Sequence, residues 1–434
     1  SPLCGRTRNS TRRALIPSPK MYEIMNPDSF NFAEKENNVL ALVSHALFCS
    51  DMPRIKNEDI GFVWQEAYAQ GVSTLAFSSY KIDGESNDIG VIRHIMRSRF
   101  MRNVAVGSQH ARLHGLMTNA GIDYVILKGC ASAFYYPDPL LRDMGDVDFL
   151  VRSEDIERAS DIFVSDGFKM SHEGHGVHIV FEKGDCRYEL HREPSGIPNG
   201  EAGEIIRKYF DDIFDKSVLI NTDFGQMKIP SPFHHGLIIL MHTAHHMTGE
   251  GLGLRHINDF AVFENSFGED EFVSMFYEKL NRVGLWSFAC IMTKISSMFL
   301  GADERGFDEE IDENICVNIM KDVFSAGNFG QKSSDRGHEA LIMQRAGEEK
   351  KRSKIGSLFF NANRIVYEKW SIAKKLKFLL PIGWLFFGVR YFIRSLLGKR
   401  PKINVSAVSK EAGEREKLYN SLMLYKTDKT NDPR

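Results

Sequence analysis

The chain is poor in cysteine, in long apolar runs and in net charge, and each shortage excludes something. Its six cysteines (Cys4, Cys49, Cys130, Cys186, Cys290 and Cys316) are scattered over 434 residues with no C-x-x-C pair. That spacing argues against a zinc ribbon or a disulfide framework and suits a reducing cytoplasm. Residues 1–20 are rich in Arg and Ser and hold only Ala14-Leu15-Ile16 as an apolar run, so no secretory core is expected there. They precede Met21 and are set aside as unstructured or extraneous. The apolar run 378–389 is interrupted by Pro381 and Gly383 and flanked by Lys374, Lys375, Lys377, Arg390 and Arg394. It is well short of the roughly 20 residues that span a bilayer. Such a run lies in a membrane interface or packs on the protein body.

The net charge of −2 hides an asymmetry. From residue 351 onward there are 19 Lys and Arg against 6 Asp and Glu, so the rest of the chain is acidic. A basic tail suits an anionic partner, either a membrane surface or nucleic acid, with plain solvated charge as the simpler reading. A hydrophobic share of 43% and a charged share of 26% are those of an ordinary soluble protein, long enough for two or three domains.

Apolar spacing predicts helices over 37–48, over 57–67 with Asn57 as N-cap, and over 88–120 with Gly121 at the stop. Strands follow at 124–127 and around Asp146–Asp148, with a short helix at 130–136 between them. A helix over 154–165 with Ser153 as N-cap comes next, then strands at 177–183 and 186–191 joined by a Gly184-Asp185 turn. Further helices run from Pro232 to about Phe324. Residues 325–356 read as a mobile polar linker, and the last thirty or so residues as frayed.

The most informative stretch is Tyr124-Val-Ile-Leu-Lys-Gly-Cys130 followed by Arg142-Asp-Met-Gly-Asp146-Val-Asp148-Phe-Leu-Val151. A strand sends residues i and i+2 to one face, so Asp146 and Asp148 stand side by side while Val147 and Phe149 enter the core. Two carboxylates held that close repel each other, and a hard cation such as Mg²⁺ is the usual reason to keep both ionised. In the strand at 186–191, Glu189 and His191 alternate with Tyr188 and Leu190, which adds a third acid to the same sheet. Gly129, at a strand-to-helix turn, lets backbone amides approach an anion. An anion cradle beside three acids is what two-metal phosphoryl transfer requires.

These motifs, Lys-Gly, then Arg-x-x-x-Asp-x-Asp-hydrophobic, then an acid before Leu-His, resemble the DNA polymerase β-like nucleotidyltransferase superfamily. Within it they are most similar to an uncharacterised bacterial nucleotidyltransferase family, over roughly Ala67 to Asp259. The resemblance implies an α+β fold with a small mixed sheet joined to helical domains. It implies that Asp146, Asp148 and Glu189 hold two Mg²⁺ ions, that Gly129-Cys130 is the phosphate-contacting turn, and that Lys128 and Arg142 suit phosphate contacts. The chain departs from the superfamily in having Cys130 where serine is usual, a longer interval from turn to aspartates, and glutamate as third acid.

Plainer readings stand beside these. Lys128 can pair structurally with Asp123 or Asp143, Arg142 with Asp138, and Cys130 is more readily a packed residue than a nucleophile. His235, His242 and His246 form one helical stripe that suits hydrogen-bonded core, a substrate-facing lining or a transition-metal site. His256 and Asp259 sit one turn apart and can pair. The expected organisation is a helical domain at 21–120, a nucleotidyltransferase core at 121–229, a helical domain at 230–324, the linker, and a basic segment at 357–434. The expected activity moves a nucleoside monophosphate from an NTP to an unidentified hydroxyl acceptor. A catalytically weak nucleotide-binding module and a membrane-surface factor are the alternatives. Nucleic acid is not favoured as acceptor, since no stacking-aromatic RNA motif is visible. The expected location is cytoplasmic, with peripheral inner-membrane contact through the basic tail.

Overall fold

The computed structural model describes residues 32–82, 87–171, 178–249, 251–332, 376–396 and 405–426, with isolated residues between 356 and 370. The lead at 1–20, most of the linker and the last eight residues lie outside the described residues. The fold is α+β, a mixed five-stranded sheet carried among helices.

Helices α1 (Glu34–Phe48), α2 (Ile60–Ala69), the single turn α3 (Ser73–Ala76) and α4 (Asn87–Asn119) come first. Gly121, at φ +64°, turns the chain out of α4 into the sheet, as its position after the apolar stripe predicts. Helix α2 starts later than expected. Asp59, not Asn57, precedes it, and no side chain caps it.

The sheet order is β1 (Tyr124–Ile126), β2 (Val147–Val151), β5 (Cys186–His191), β4 (His178–Lys183), β3 (Lys169–Ser171). Only the β2–β5 pair is parallel, and it aligns Asp148 with Glu189 and Leu150 with His191. Between β1 and β2 lies the single-turn helix α5 (Cys130–Ala133), and α6 (Ile156–Ser165) follows β2. Ser153 opens a 3₁₀ turn ahead of α6 and does not act as its N-cap. Gly184, at φ +59°, makes the β4–β5 turn.

One face of the sheet is apolar. Ile126, Val147, Phe149, Tyr188 and Leu190 pack there with Val106, Leu113 and Met117 of α4 and with Phe163 of α6. Period-two alternation therefore sends Asp148, Glu189 and His191 to the opposite face.

That opposite face looks toward the later helices. They are α7 (Glu201–Tyr209), then α8 (Pro232–Thr248), α9 (Leu254–Glu264), α10 (Glu269–Arg282), α11 (Trp286–Leu300) and α12 (Glu313–Ala326). A hairpin of β6 (Val218–Thr222) and β7 (Gly225–Ile229) precedes α8. The hairpin escaped the sequence reading because its strands are short and half polar, with Val218 and Leu219 exposed. The first and later helices share a continuous core, in which Val39, Leu42 and Val63 pack in one cluster with Leu240, Phe260, Phe288 and Ile319.

The C-terminal part is more ordered than its composition suggests. Residues 325–332 are not a loose linker: Asn328 is buried, and Lys332 Nζ donates to both oxygens of Glu66 at 2.8 and 2.9 Å. Where fraying was expected, α14 (Val405–Ser421) forms. Arg415 donates to the Met247 and Gly249 carbonyls, and the Tyr419 hydroxyl donates to Asp322 at 2.9 Å. A few anchors hold this polar segment, so its hydropathy alone hid it. The interrupted apolar run becomes α13 (Leu380–Leu396). Pro381 lies in its first turn, where the missing N–H has no intrahelical partner to lose. Among the described residues no helix is long and apolar enough to cross a membrane.

Candidate active site

A cavity of about 160 Å³ opens between the polar face of the sheet and the α8–α9 pair. Asp146, Asp148 and Glu189 line one side. Asp146 sits just ahead of β2, Asp148 within it, and Glu189 faces Asp148 across the parallel pair. The three acids that alternation and motif order singled out therefore meet at one place.

Their environments differ. Asp148 is 4% exposed. Burial alone would raise its pKa, but Lys128 and His191 hold the carboxyl well below the usual range. Lys128 Nζ lies 3.0 Å from Oδ1, and His191 Nε2 donates to the same oxygen at 2.8 Å. Glu189 moves the other way. Burial, then the charges of Asp148 and Asp146, push it up to about 7, against the pull of Arg187. Arg187 donates to Glu189 Oε1 at 2.8 and 3.1 Å, and its Nε lies 3.8 Å from Asp146. Asp146 is the most open of the three, with its side chain 38% exposed.

Lys128 thus pairs with Asp148, not with Asp123 or Asp143. Arg142 does not meet Asp138. It is buried, and its Nε and Nη2 donate to the two Asp259 oxygens at 2.7 Å each. Burial opposes that charge, yet Asp259 holds the guanidinium protonated. Tyr136 also donates to Asp259 at 2.8 Å. Asp259 therefore serves Arg142 and Tyr136, and the expected His256 pairing is absent among the hydrogen bonds of the described residues. The bidentate pair ties the loop before β2 to α9.

Gly129 makes the turn after β1 at φ +60°, and a Cβ there would lie 2.6 Å from His110 Nε2. Both the conformation and the close approach demand glycine. The Cys130 amide points at that same nitrogen from 3.5 Å. Cys130 itself is buried against Met144, and burial pushes its thiol up to about 12. It is a packing residue with no thiolate to offer.

Sequence reasoning missed His110, Arg187 and His191 as site residues, though each left a trace. His110 interrupts the α4 stripe Val106, Leu113, Met117; burial holds it down to about 4, and its Nδ1 donates to the Val106 carbonyl at 2.8 Å. Arg187 and His191 flank Glu189 at two-residue spacing, the same-face positions of a strand.

The acids can hold a hard cation. Three carboxylates converge, one is raised toward neutrality by burial and by the other two, and both protein contacts to Asp148 use Oδ1, leaving Oδ2 uncommitted among the described residues. Opposite them, Ser132, Thr243 and Arg255 join His242, His246 and His256 on the cavity wall. His235, expected on the same stripe, instead stacks on Tyr135 with ring centroids 5.3 Å apart.

No curated protein sequence matches the chain. A family model does match, over residues 56–301, which takes in the helices from α2 to α11, the whole sheet, the acids and the histidine wall. The chain belongs to that family, an uncharacterised nucleotidyltransferase family.

Proposed function

We propose that this site transfers a nucleoside monophosphate from an NTP to a hydroxyl acceptor. The observation that carries the reading is the in-register pairing of Asp148 with Glu189 on neighbouring parallel strands, with Asp146 beside them, at the mouth of a cavity. Asp146, Asp148 and Glu189 would hold Mg²⁺. When bound, the ion neutralises charge on the phosphates and lowers the pKa of the attacking hydroxyl.

The chain's own groups supply the rest. Glu189, facing Asp148 across the parallel pair, is placed either to help hold the ion or to take the acceptor's proton as the acceptor oxygen bonds to the α-phosphorus and pyrophosphate departs. Lys128 stands between Gly129 and Asp148, where its ammonium can trade a carboxylate for a phosphate oxygen. His191 orients Asp148, and the Arg142–Asp259 pair keeps the loop carrying Asp146 against α9. The helices over the cavity limit water, which strengthens each of these interactions.

A nucleotide-binding module with little turnover is the second reading. It is favoured by Lys128 and Arg187 already neutralising two of the acids.

The test is pyrophosphate release from each NTP with Mg²⁺ and a panel of hydroxyl acceptors. The Asp146→Asn/Asp148→Asn protein should lose at least a hundredfold. Turnover that survives both changes removes the assignment. Mg²⁺-dependent NTP binding without turnover in any arm selects the binding module.

A further inference from the structure

Three histidines meet on the wall facing the acids. His242 and His246 lie one turn apart on α8, and His256 comes from α9. The ring centroids are 4.3 Å apart for His242–His246, 5.4 Å for His242–His256 and 5.2 Å for His246–His256. One nitrogen from each ring falls within 4.8 Å of the others.

An ordinary core histidine has its nitrogens satisfied, and two of these three do not. His256 is 2% exposed, and among the described residues neither of its ring nitrogens has a hydrogen-bond partner; nor has His242 Nδ1. The Gly253 carbonyl lies near the His256 ring without completing such a bond. A buried polar atom left unpaired forfeits its hydration without replacement, so three such nitrogens in one cluster call for a missing partner. Neutral imidazole is the ligating form, and a metal ion supplies the partner such a nitrogen lacks.

We propose that His242, His246 and His256 form a transition-metal site of the zinc class, with a fourth position open to the cavity. Nitrogens about 2.0–2.1 Å from a tetrahedral ion put imidazole centroids about 5 Å apart, and the three observed separations bracket that value. Imidazole donors select zinc, cobalt or nickel over magnesium, whereas the facing carboxylates select the harder ion. The cavity thus presents two unlike ion sites. Arg255 stands on the histidine wall and Lys128 lines the same cavity, which favours an anionic fourth ligand: a hydroxide, or a phosphate-type oxygen of whatever occupies the cavity. Phe329 packs edge-on against His246 and His256 at 4.9 and 5.5 Å and screens the rings from solvent. It does so at φ 55°, a conformation a bulky residue adopts only when its surroundings impose it. This site does not depend on the nucleotidyl-transfer reading.

The experiment uses the full chain, stripped with chelator, reloaded with Zn²⁺ or Co²⁺ and desalted. Elemental analysis should find about one zinc per chain, and the cobalt form should show the visible bands of a four-coordinate, nitrogen-rich ion. His246→Asn and His256→Gln should each abolish the zinc with unchanged far-ultraviolet circular dichroism. Asp146→Asn/Glu189→Gln should retain it. That last arm matters because His178, Glu189 and His191 form a second set whose ligand atoms lie equally close. A wild-type protein that takes up no zinc overturns the proposal. So does zinc that survives both histidine variants and leaves with Glu189. If the histidine variants fail to fold, the wild-type cobalt spectrum decides, and absent bands overturn the site.

Discussion

Replacing His235 by phenylalanine should remove a measurable part of the protein's acid sensitivity. His235 lies in α8, stacked on Tyr135 and edge-on to Phe263 with centroids 5.6 Å apart, and neither ring nitrogen has a hydrogen-bond partner among the described residues. Burial holds its pKa down to about 3, with Asp259 pulling upward and Arg142 downward. The unfolded chain binds a proton near pH 6.5, and the folded ring does not until far lower. Stability from this group is therefore fully present above about pH 6.5 and is lost as the pH falls below it. Between about pH 7.5 and pH 5.5 the loss is RT ln(11/1.1), or roughly 1.4 kcal/mol; by about pH 4.5 it is roughly 2.7 kcal/mol. The absolute effect of His235→Phe is less informative. It gains from deleting two unpaired polar atoms and loses through a changed ring shape. Subtracting the two proteins at each pH cancels all other titrating groups and leaves that offset as a constant, so the change of the difference with pH isolates the His235 contribution. Urea unfolding at several pH values is the assay. The variant's advantage should widen by roughly 1.4 kcal/mol over those two pH units. A difference that stays flat with pH would mean the ring is protonated or solvated in the folded protein, and the account of its burial would fail.

Other outcomes follow from the same geometry. Asp259→Leu should cost roughly 3–5 kcal/mol in denaturant unfolding by leaving Arg142 buried without its partner; the double change with Arg142→Met should recover most of that, and a single change costing under about 1 kcal/mol would refute the pairing. Gly129→Ala should cost at least about 2 kcal/mol, because it adds left-handed strain and drives a methyl into His110; an unchanged urea midpoint would refute it. Leu385 is 69% exposed on α13, with Phe386 beside it. Leu385→Glu with Phe386→Glu should reduce co-sedimentation with anionic vesicles, and equal pelleting of both proteins would remove a membrane role for that helix.

Much of this was legible in the residues alone. Period-two alternation told which side Val147 and Phe149 take and put Asp148 and Glu189 on one face. Gly121 and Gly184 marked their turns, since a left-handed backbone leaves few other choices. Local signals failed where stability comes from a few distant anchors, as in α14, or where strands are short and half exposed, as in the β6–β7 hairpin. Pairing was beyond the sequence altogether. Lys128 had several acids within plausible reach, and only the packed sheet decided on Asp148. Arg142 and Asp259 lie over a hundred positions apart, and so do His256 and Asp148. The chain's local chemistry determined which side chains a strand or helix presents to one side. Which of those sides face each other depends on how separate elements share one apolar core, and that is a property of the folded whole.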